Sequence, residues 1–325
     1  MKKYIVLLLT VFFILGCNND GSKKQRYLSN SSGNINDLSV VVSNLMWENN
    51  VGEAIREVLA APVEGLSQDE AMFSLRQMPP QVFSDFTTKG RIILKIEEGK
   101  DADTKIAKDV YAKPQTVIVI SGKNNTEIIN QLKKNAEKII DALKKEELKE
   151  KQRRINLSLF DSKSIEEAFG LHLNLPSVYR LAKQEDNFFW IRKDINSGTM
   201  DLMIYQVPLE TIRKGDSAVV DVVKMRDSIG KNQIPGRLDG SYMITEKAYA
   251  PYIFSTIIDN KPTIETKGIW DVKNDFMSGP FINYAIEDKV NNRYVVIEGY
   301  VFAPSVAKRD YMFELESIIR SATLK

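Results

Sequence analysis

The sequence predicts an α+β protein, built mainly from antiparallel sheets with packed helices and divided into two lobes related as a pseudo-repeat. Three observations predict it. Short β-rich runs such as Arg91–Glu97 (RIILKIE) and Thr116–Ile120 (TVIVI) stand between turn-forming and polar residues, as strands do. Other stretches repeat apolar residues at helical spacing, Ile128, Leu132, Ile139 and Leu143 being the clearest set. Each half then closes on strand, strand, helix. The spans are 91–97, 116–120 and 126–154 in the first half, and 281–287, 294–302 and 306–321 in the second, with Thr88-Lys89-Gly90 echoed by Thr266-Lys267-Gly268.

The chain opens with Lys2-Lys3 and an uncharged apolar run, Tyr4–Leu15. That run is too short to span a bilayer, which takes roughly 20 apolar residues, and it matches the core of an export signal. Ile14-Leu15-Gly16-Cys17 follows and reads as a lipobox, with a small residue at the cleavage point and a thiol to accept the lipid. Residues 1–16 are therefore expected to be a signal peptide, and Cys17 the lipidated N-terminus that holds the protein to a membrane. Cys17 is also the only cysteine, so the folded part is left without a disulfide, a thiolate metal ligand or a thiol nucleophile. Asn, Ser, Gly and Asp supply 13 of the 20 residues from Asn18 to Asp37. Residues 17–37 are thus expected to be a flexible tether with a reach of roughly 25 Å. Asn rather than Asp at position 18, and the lack of an acidic run after Cys17, point to the outer membrane, facing the periplasm.

The first lobe is placed at 38–160. It takes a strand at Leu38–Val42, a helix over Leu45–Ala61 ended by Pro62, and a short helix after the capping box Ser67-x-x-Glu70. Strands at 91–97 and 116–120 are separated by a polar loop from Glu98 to Lys108, and one long helix runs from Thr126 to Arg154. Its second half, DALKKEELKEKQRR, is charged almost all round. It reads as a solvated surface with internal ion pairs or, more sharply, as an arm that docks on a partner. The second lobe, 161–325, begins with a three-strand meander at Val178–Leu181, Phe188–Arg192 and Leu202–Val207. A helix over Asp216–Ile229 precedes strands at 253–258, 263–270, 281–287 and 294–302, the last two joined by an Asn291-Asn292 turn.

Composition excludes several chemistries. Without Lys2 and Lys3 the 45 basic residues become 43, equal to the 43 acidic ones, so no overall field draws nucleic acid or acidic lipid. His172 is the only histidine, which rules out multi-histidine metal centres, and no glycine-rich phosphate loop occurs. No cofactor, metal or nucleotide is expected. Ser305-x-x-Lys308 has the spacing of a serine–lysine nucleophile pair, but its companion motifs are absent, and Ser305 after Pro304 reads as a helix N-cap. Asp271 and Asp275 beside Trp270 and Phe276 leave a hydrolase of cell-wall or glycan substrates as the alternative reading.

The densest aromatic and polar segment is Lys267–Phe281 (KGIWDVKNDFMSGPF). With Arg237 and Tyr242 upstream and Lys308-Arg309 downstream, it defines the candidate binding surface: Trp270, Asp275, Phe276, Tyr242, Arg237, Lys308 and Arg309. The runs Pro235-Gly236-x-x-Asp239-Gly240-Ser241-Tyr242-Met243, Gly268-x-Trp270-x-x-x-Asn274-Asp275-Phe276-Met277-x-Gly279-Pro280-Phe281 and Glu298-Gly299-x-Val301-x-Ala303-Pro304-x-x-x-Lys308-Arg309 resemble an uncharacterised lipoprotein family of the Bacteroidota, catalogued as a domain of unknown function. Gly33-Asn34, Trp47, Gly52, Pro114-Gln115 and Trp190-Ile191-Arg192 fit the same resemblance, which extends over nearly all of the mature chain. The resemblance implies an envelope lipoprotein and carries no activity or ligand. The sequence thus points to a lipid-anchored, non-enzymatic binding or assembly module, with the membrane and an envelope protein as partners.

Overall fold

The computed structural model describes residues 27–325, so Cys17 and the signal segment lie outside the described residues. Among the described residues, seven helices and seventeen strands make an α+β fold. The first lobe carries β1 (Ser29–Asn30), β2 (Asp37–Val41), β3 (Ser74–Met78), β4 (Ile92–Glu98), β5 (Asp103–Lys108), β6 (Ala112–Lys113) and β7 (Thr116–Gly122). Its helices are α1 (Asn44–Glu48), α2 (Asn50–Leu59), α3 (Asn125–Lys134) and α4 (Ala136–Ile155). The main sheet runs β3-β2-β4-β7-β5, with β5 alone antiparallel. Its central strands are apolar on both faces because both are covered. Leu38, Val40, Ile92, Leu94, Ile118 and Ile120 pack on Ile55, Leu59, Ile128 and Leu143, while Val41, Ile93 and Val117 face the other way.

The second lobe holds α5 (Lys163–Phe169), β8 (Leu171–His172), β9 (Arg180–Glu185), β10 (Phe188–Ile195), β11 (Gly198–Pro208), α6 (Ala218–Gln233), β12 (Met243–Thr245), β13 (Tyr252–Ile258), β14 (Lys261–Val272), β15 (Ser278–Asp288), β16 (Arg293–Phe302), α7 (Arg309–Ile319) and β17 (Thr323–Leu324). An antiparallel eight-stranded sheet, curled into a half-barrel, runs β12-β14-β15-β16-β11-β10-β9, and β13 also pairs with β14. One face packs on α5 and α7 through Ile282, Tyr284, Ile297 and Leu315. The other packs on α6 through Tyr205, Val222, Met225 and Phe281.

The two lobes do not share a strand order. β4 and β7 are parallel, whereas β15 and β16 are antiparallel, so the pseudo-repeat is not present. Both long helices of the first lobe are split. Asn49 breaks one into α1 and α2, and Gly52 lets α2 start against Trp47, whose carbonyl oxygen would lie 1.8 Å from an added Cβ. Asn135 breaks the other, its side-chain amide donating to the Gln131 carbonyl at 2.8 Å and competing with the helix ladder. The expected loop 98–108 contains β5, whose exposed Asp103, Lys105 and Lys108 suit an edge strand.

The tether expectation fails for residues 29–36. β1 pairs with β6, and the buried Arg91 guanidinium donates to the carbonyls of Gly33 and Asn34 at 3.3 and 2.7 Å. The polar residues are therefore ordered by a cation that needs their oxygens. The charged half of α4 keeps the expected internal ion pairs and one exposed side, but its other side is buried and it is no free arm. Glu146, Glu147 and Glu150 are buried, and the helix lies between the lobes against α7. Each carboxylate has a cation: Glu147 takes Arg91, Glu146 takes Lys108, and Glu150 takes Arg153 and Arg154.

Candidate functional site

The predicted surface residues separate into three places. Trp270 is in the core at 2% exposure, its indole donating to the Val301 carbonyl at 3.2 Å and its ring edge-on to Tyr300 at 5.6 Å. It shapes the site only as a support, because an inward-facing position on a sheet packed beneath α6 buries it. Lys308 and Arg309 lie at the lobe junction. Their backbone amides donate to the Glu70 carboxylate at 2.7–2.9 Å, so a side chain of the first lobe caps the N-terminus of α7. Arg309 also donates to Ala71 O and Ser74 Oγ. Ser305 is therefore not the N-cap, and Ser67-x-x-Glu70 opens no helix, because Glu70 is used across the junction instead.

Arg237, Asp275, Phe276 and Tyr242 do come together, at the turn between β14 and β15. Arg237 makes two donations to Asp275, at 3.0 and 2.7 Å, and the Phe276 amide makes a third at 2.8 Å. These hydrogen bonds, Arg237 foremost, hold the Asp275 carboxyl below its usual range. Asn274 takes a left-handed φ of 64°, and the turn presents Phe276 to solvent at 103% exposure. Tyr242 lies beside the turn. Lys273 Nζ donates to its hydroxyl at 3.2 Å and stands 5.3 Å from its ring centroid, and Lys231 Nζ stands 6.0 Å from the same centroid. Two adjoining depressions of about 440 and 430 Å³ open here, sharing Ile244, Lys247 and Lys273. Among the described residues, no carboxylate lies within 4.0 Å of Lys231, Lys247 or Lys273. Asp227, on the same wall, accepts the Thr245 amide and hydroxyl on its Oδ1 at 2.7 and 2.8 Å. Sequence reasoning missed the lysines because they come from α6, the segment after β12 and the β14–β15 turn, and no spacing joins them.

A second concavity, about 60 Å³, lies between the lobes and is lined by Asn36, Gly65, Lys144, Lys267, Arg309 and Glu316 among others. Most of the charges around it are paired, although Lys144 has no carboxylate within 4.0 Å among the described residues and burial lowers its pKa. Lys267 bonds Glu265 at 2.7 Å, while Arg320 bonds Glu316 at 2.7 Å and Glu265 at 3.1 Å. Gly65, at φ 82°, brings its loop so close that an added Cβ would meet Lys267 Cβ at 2.8 Å. This is a clamp rather than a receptor. His172 is held by Glu166 at 2.6 Å and Asn174 at 3.2 Å. The nearby Ser321 hydroxyl donates to Ile318 O, so no nucleophile is poised there. No group of three or more metal-ligating side chains is found among the described residues.

A family described as Domain of unknown function (DUF8532) matches residues 31–156. A second, described as Domain of unknown function (DUF4837), matches residues 158–321, just over half of the 325 residues. The two matches meet at the end of α4, and they are different families. Comparison with curated proteins gives no match. The chain therefore belongs to the DUF4837 family, a domain of unknown function.

Proposed function

We propose that the protein is a lipid-anchored cell-envelope binding or assembly module without catalytic activity. Cys17 would anchor it in the outer membrane of a Bacteroidota cell, facing the periplasm, where its partner is an envelope component. The reading rests on the lipobox at Ile14–Cys17 and on one structural observation. Lys231 and Lys273 stand over the Tyr242 ring and Lys247 lines the same depression, none of the three ion-paired among the described residues, beside an exposed Phe276. That arrangement suits a ligand with anionic groups and a flat face, such as an acidic glycan, because the ring stacks while the cations select charge. The rigid part is the turn, fixed by Arg237 and Asp275.

Two results are expected. Cys17→Ser moves the protein from membrane to soluble fractions and abolishes palmitate labelling; retention in the membrane fraction would remove the anchor. In calorimetric titration, an oligogalacturonate binds the wild type with an affinity that falls as salt rises. The Lys231→Gln/Lys247→Gln/Lys273→Gln variant binds about tenfold more weakly, as three exposed charges of roughly 0.2–1 kcal/mol each imply. Salt-independent binding, no binding, or an unchanged affinity would overturn the surface.

One observation favours the alternative hydrolase of cell-wall or glycan substrates. Burial raises the Asp271 carboxyl pKa, and Asp271 lines the same depression as Glu246 and the ionised Asp275. Carboxylates in opposed environments are the pattern of an acid and a base. Asp275, however, has both oxygens engaged by Arg237. Product released from peptidoglycan by the wild type and not by Asp271→Asn would establish the hydrolase.

A further inference from the structure

The two edges of the half-barrel sheet are built differently. β9, at one edge, reads Arg-Leu-Ala-Lys-Gln-Glu and carries three charges, Arg180 and Glu185 exposed and Lys183 half-buried. Charges along an edge prevent another strand from adding to it. At the other edge β13 reads Tyr-Ile-Phe-Ser-Thr-Ile-Ile, with no charge, and among the described residues it pairs only with β14. Its apolar side chains are open to solvent: Tyr252 is 50% exposed and Ile257 69%, with Ile253 and Phe254 also exposed. A long, uncharged, apolar edge is a liability for a chain that stays alone.

We propose that β13 is a homodimer interface, pairing antiparallel with β13 of a second copy to join two half-barrel sheets into one. The strand is complementary to itself. A two-fold axis at Ser255 sets Ile253 opposite the partner's Ile257, Phe254 opposite the partner's Thr256 and Tyr252 opposite the partner's Ile258. Apolar residues thus meet apolar or β-branched ones throughout, and no like charges face each other. Ser255 lies opposite Ile264 on β14, which places residues 253, 255 and 257 on the face packed by α6. There a groove of about 350 Å³, lined by Ile253, Ser255, Ile264, Lys214, Gly215 and Ala218, gives space beside the edge for the incoming strand's side chains. The charged β9 edge selects a second β13 as the occupant. Head-to-tail addition would need an accepting edge at β9, so only pairing of β13 with itself satisfies both edges and closes the assembly. The dimer is independent of the surface around Tyr242.

The test uses the full chain purified from membranes, together with cross-linking in cells. Sedimentation is expected to give twice the chain mass for the wild type. Ile257→Lys and Ile253→Lys, at exposed positions, are expected to weaken dimerisation about tenfold with an unchanged melting temperature, since each disrupts two cross-strand pairs. Ser255→Cys is expected to form a disulfide-linked homodimer in cells, its two Cβ atoms facing each other across the two-fold axis about 4.5 Å apart, at the edge of disulfide reach, while Leu181→Cys on β9 does not. A monomeric wild type, a dimer indifferent to both lysine variants, or cross-linking of Ser255→Cys to a different protein would each overturn the proposal.

Discussion

Arg226→Met is expected to destabilise the protein by about 3–5 kcal/mol in urea unfolding, because it leaves a carboxylate buried without its cation. Arg226 enters the half-barrel from α6. It donates to both oxygens of Glu298 at 2.8 and 2.6 Å and also to the Thr245 hydroxyl, and the two charged side chains are 2% and 0% exposed. The guanidinium lies 3.4 Å from the Phe281 ring centroid, so its face is covered as well. Asn283 donates to the same carboxylate at 2.7 Å. Glu298→Gln in the Arg226→Met background removes the stranded charge and still accepts from Asn283. The double variant should therefore recover about 2 kcal/mol or more of the loss. A single-variant cost below about 1 kcal/mol would show that water reaches the pair.

Arg91→Met is expected to cost a similar amount, about 3–5 kcal/mol, with a second signature. Arg91 and Glu147 are 2% and 0% exposed and bonded at 2.7 Å, and Glu147 also accepts from the Asn36 amide at 2.6 Å. Removing the guanidinium takes the donor from the Asn34 carbonyl and leaves Gly33 with Arg154 alone. Amide hydrogens of residues 29–36 should then exchange well before global unfolding. The pH dependence follows from burial, which raises the Glu147 carboxyl above its ordinary value of 4.5 even with Arg91 opposing it. A carboxyl whose folded pKa is raised favours folding most when protonated, below its unfolded pKa, and loses that contribution as pH rises. Without Arg91 the folded pKa rises further, so the deficit of Arg91→Met should shrink as pH falls from 7 towards 4.5. Glu150 behaves oppositely in the wild type. Arg153 and Arg154 lower its carboxyl to about 2 against the cost of burial, so its contribution is present at neutral pH and disappears between 4.5 and about 2. A deficit for Arg91→Met that grows on acidification would contradict the assignment of Glu147.

Much of the fold was legible because local pattern and burial agree. The strands at 252–258, 261–272, 278–288 and 293–302 and the helix over 218–233 lie where alternation, turn residues and amphipathic spacing place them. Asn292, with φ 52°, is the turn residue that joins the last two strands. The parallel pairing of β2, β4 and β7 had a signal as well. VVV, IIL and VIVI are continuous apolar runs, which a sheet covered on both faces requires and an open antiparallel sheet does not. What misled was charge. DALKKEELKEKQRR reads as solvent-facing only if its carboxylates are assumed to lack partners, and those include Arg91 and Lys108, distant in sequence.

For the candidate site, the sequence singled out the turn at Asp275–Phe276 and its neighbours Arg237 and Tyr242, because Gly, Pro, Asn and aromatic residues crowd there. It could not separate Trp270, whose exposure depends on the strand face covered by α6, from Phe276, which the turn turns outward. Nor could it show that Lys308 and Arg309 serve the lobe junction, since their partner Glu70 lies 238 and 239 residues away.

By itself, the sequence determined the α+β class, most strand positions, the single thiol and the near-balance of charge, each a property of composition or short-range pattern. Only the tertiary structure decided how the strands of each sheet are ordered, which carboxylates are buried, which lysines gather in the depression beside Tyr242, and that one sheet edge is left apolar. Those depend on contacts between residues far apart in the chain, where packing and desolvation outweigh local preference.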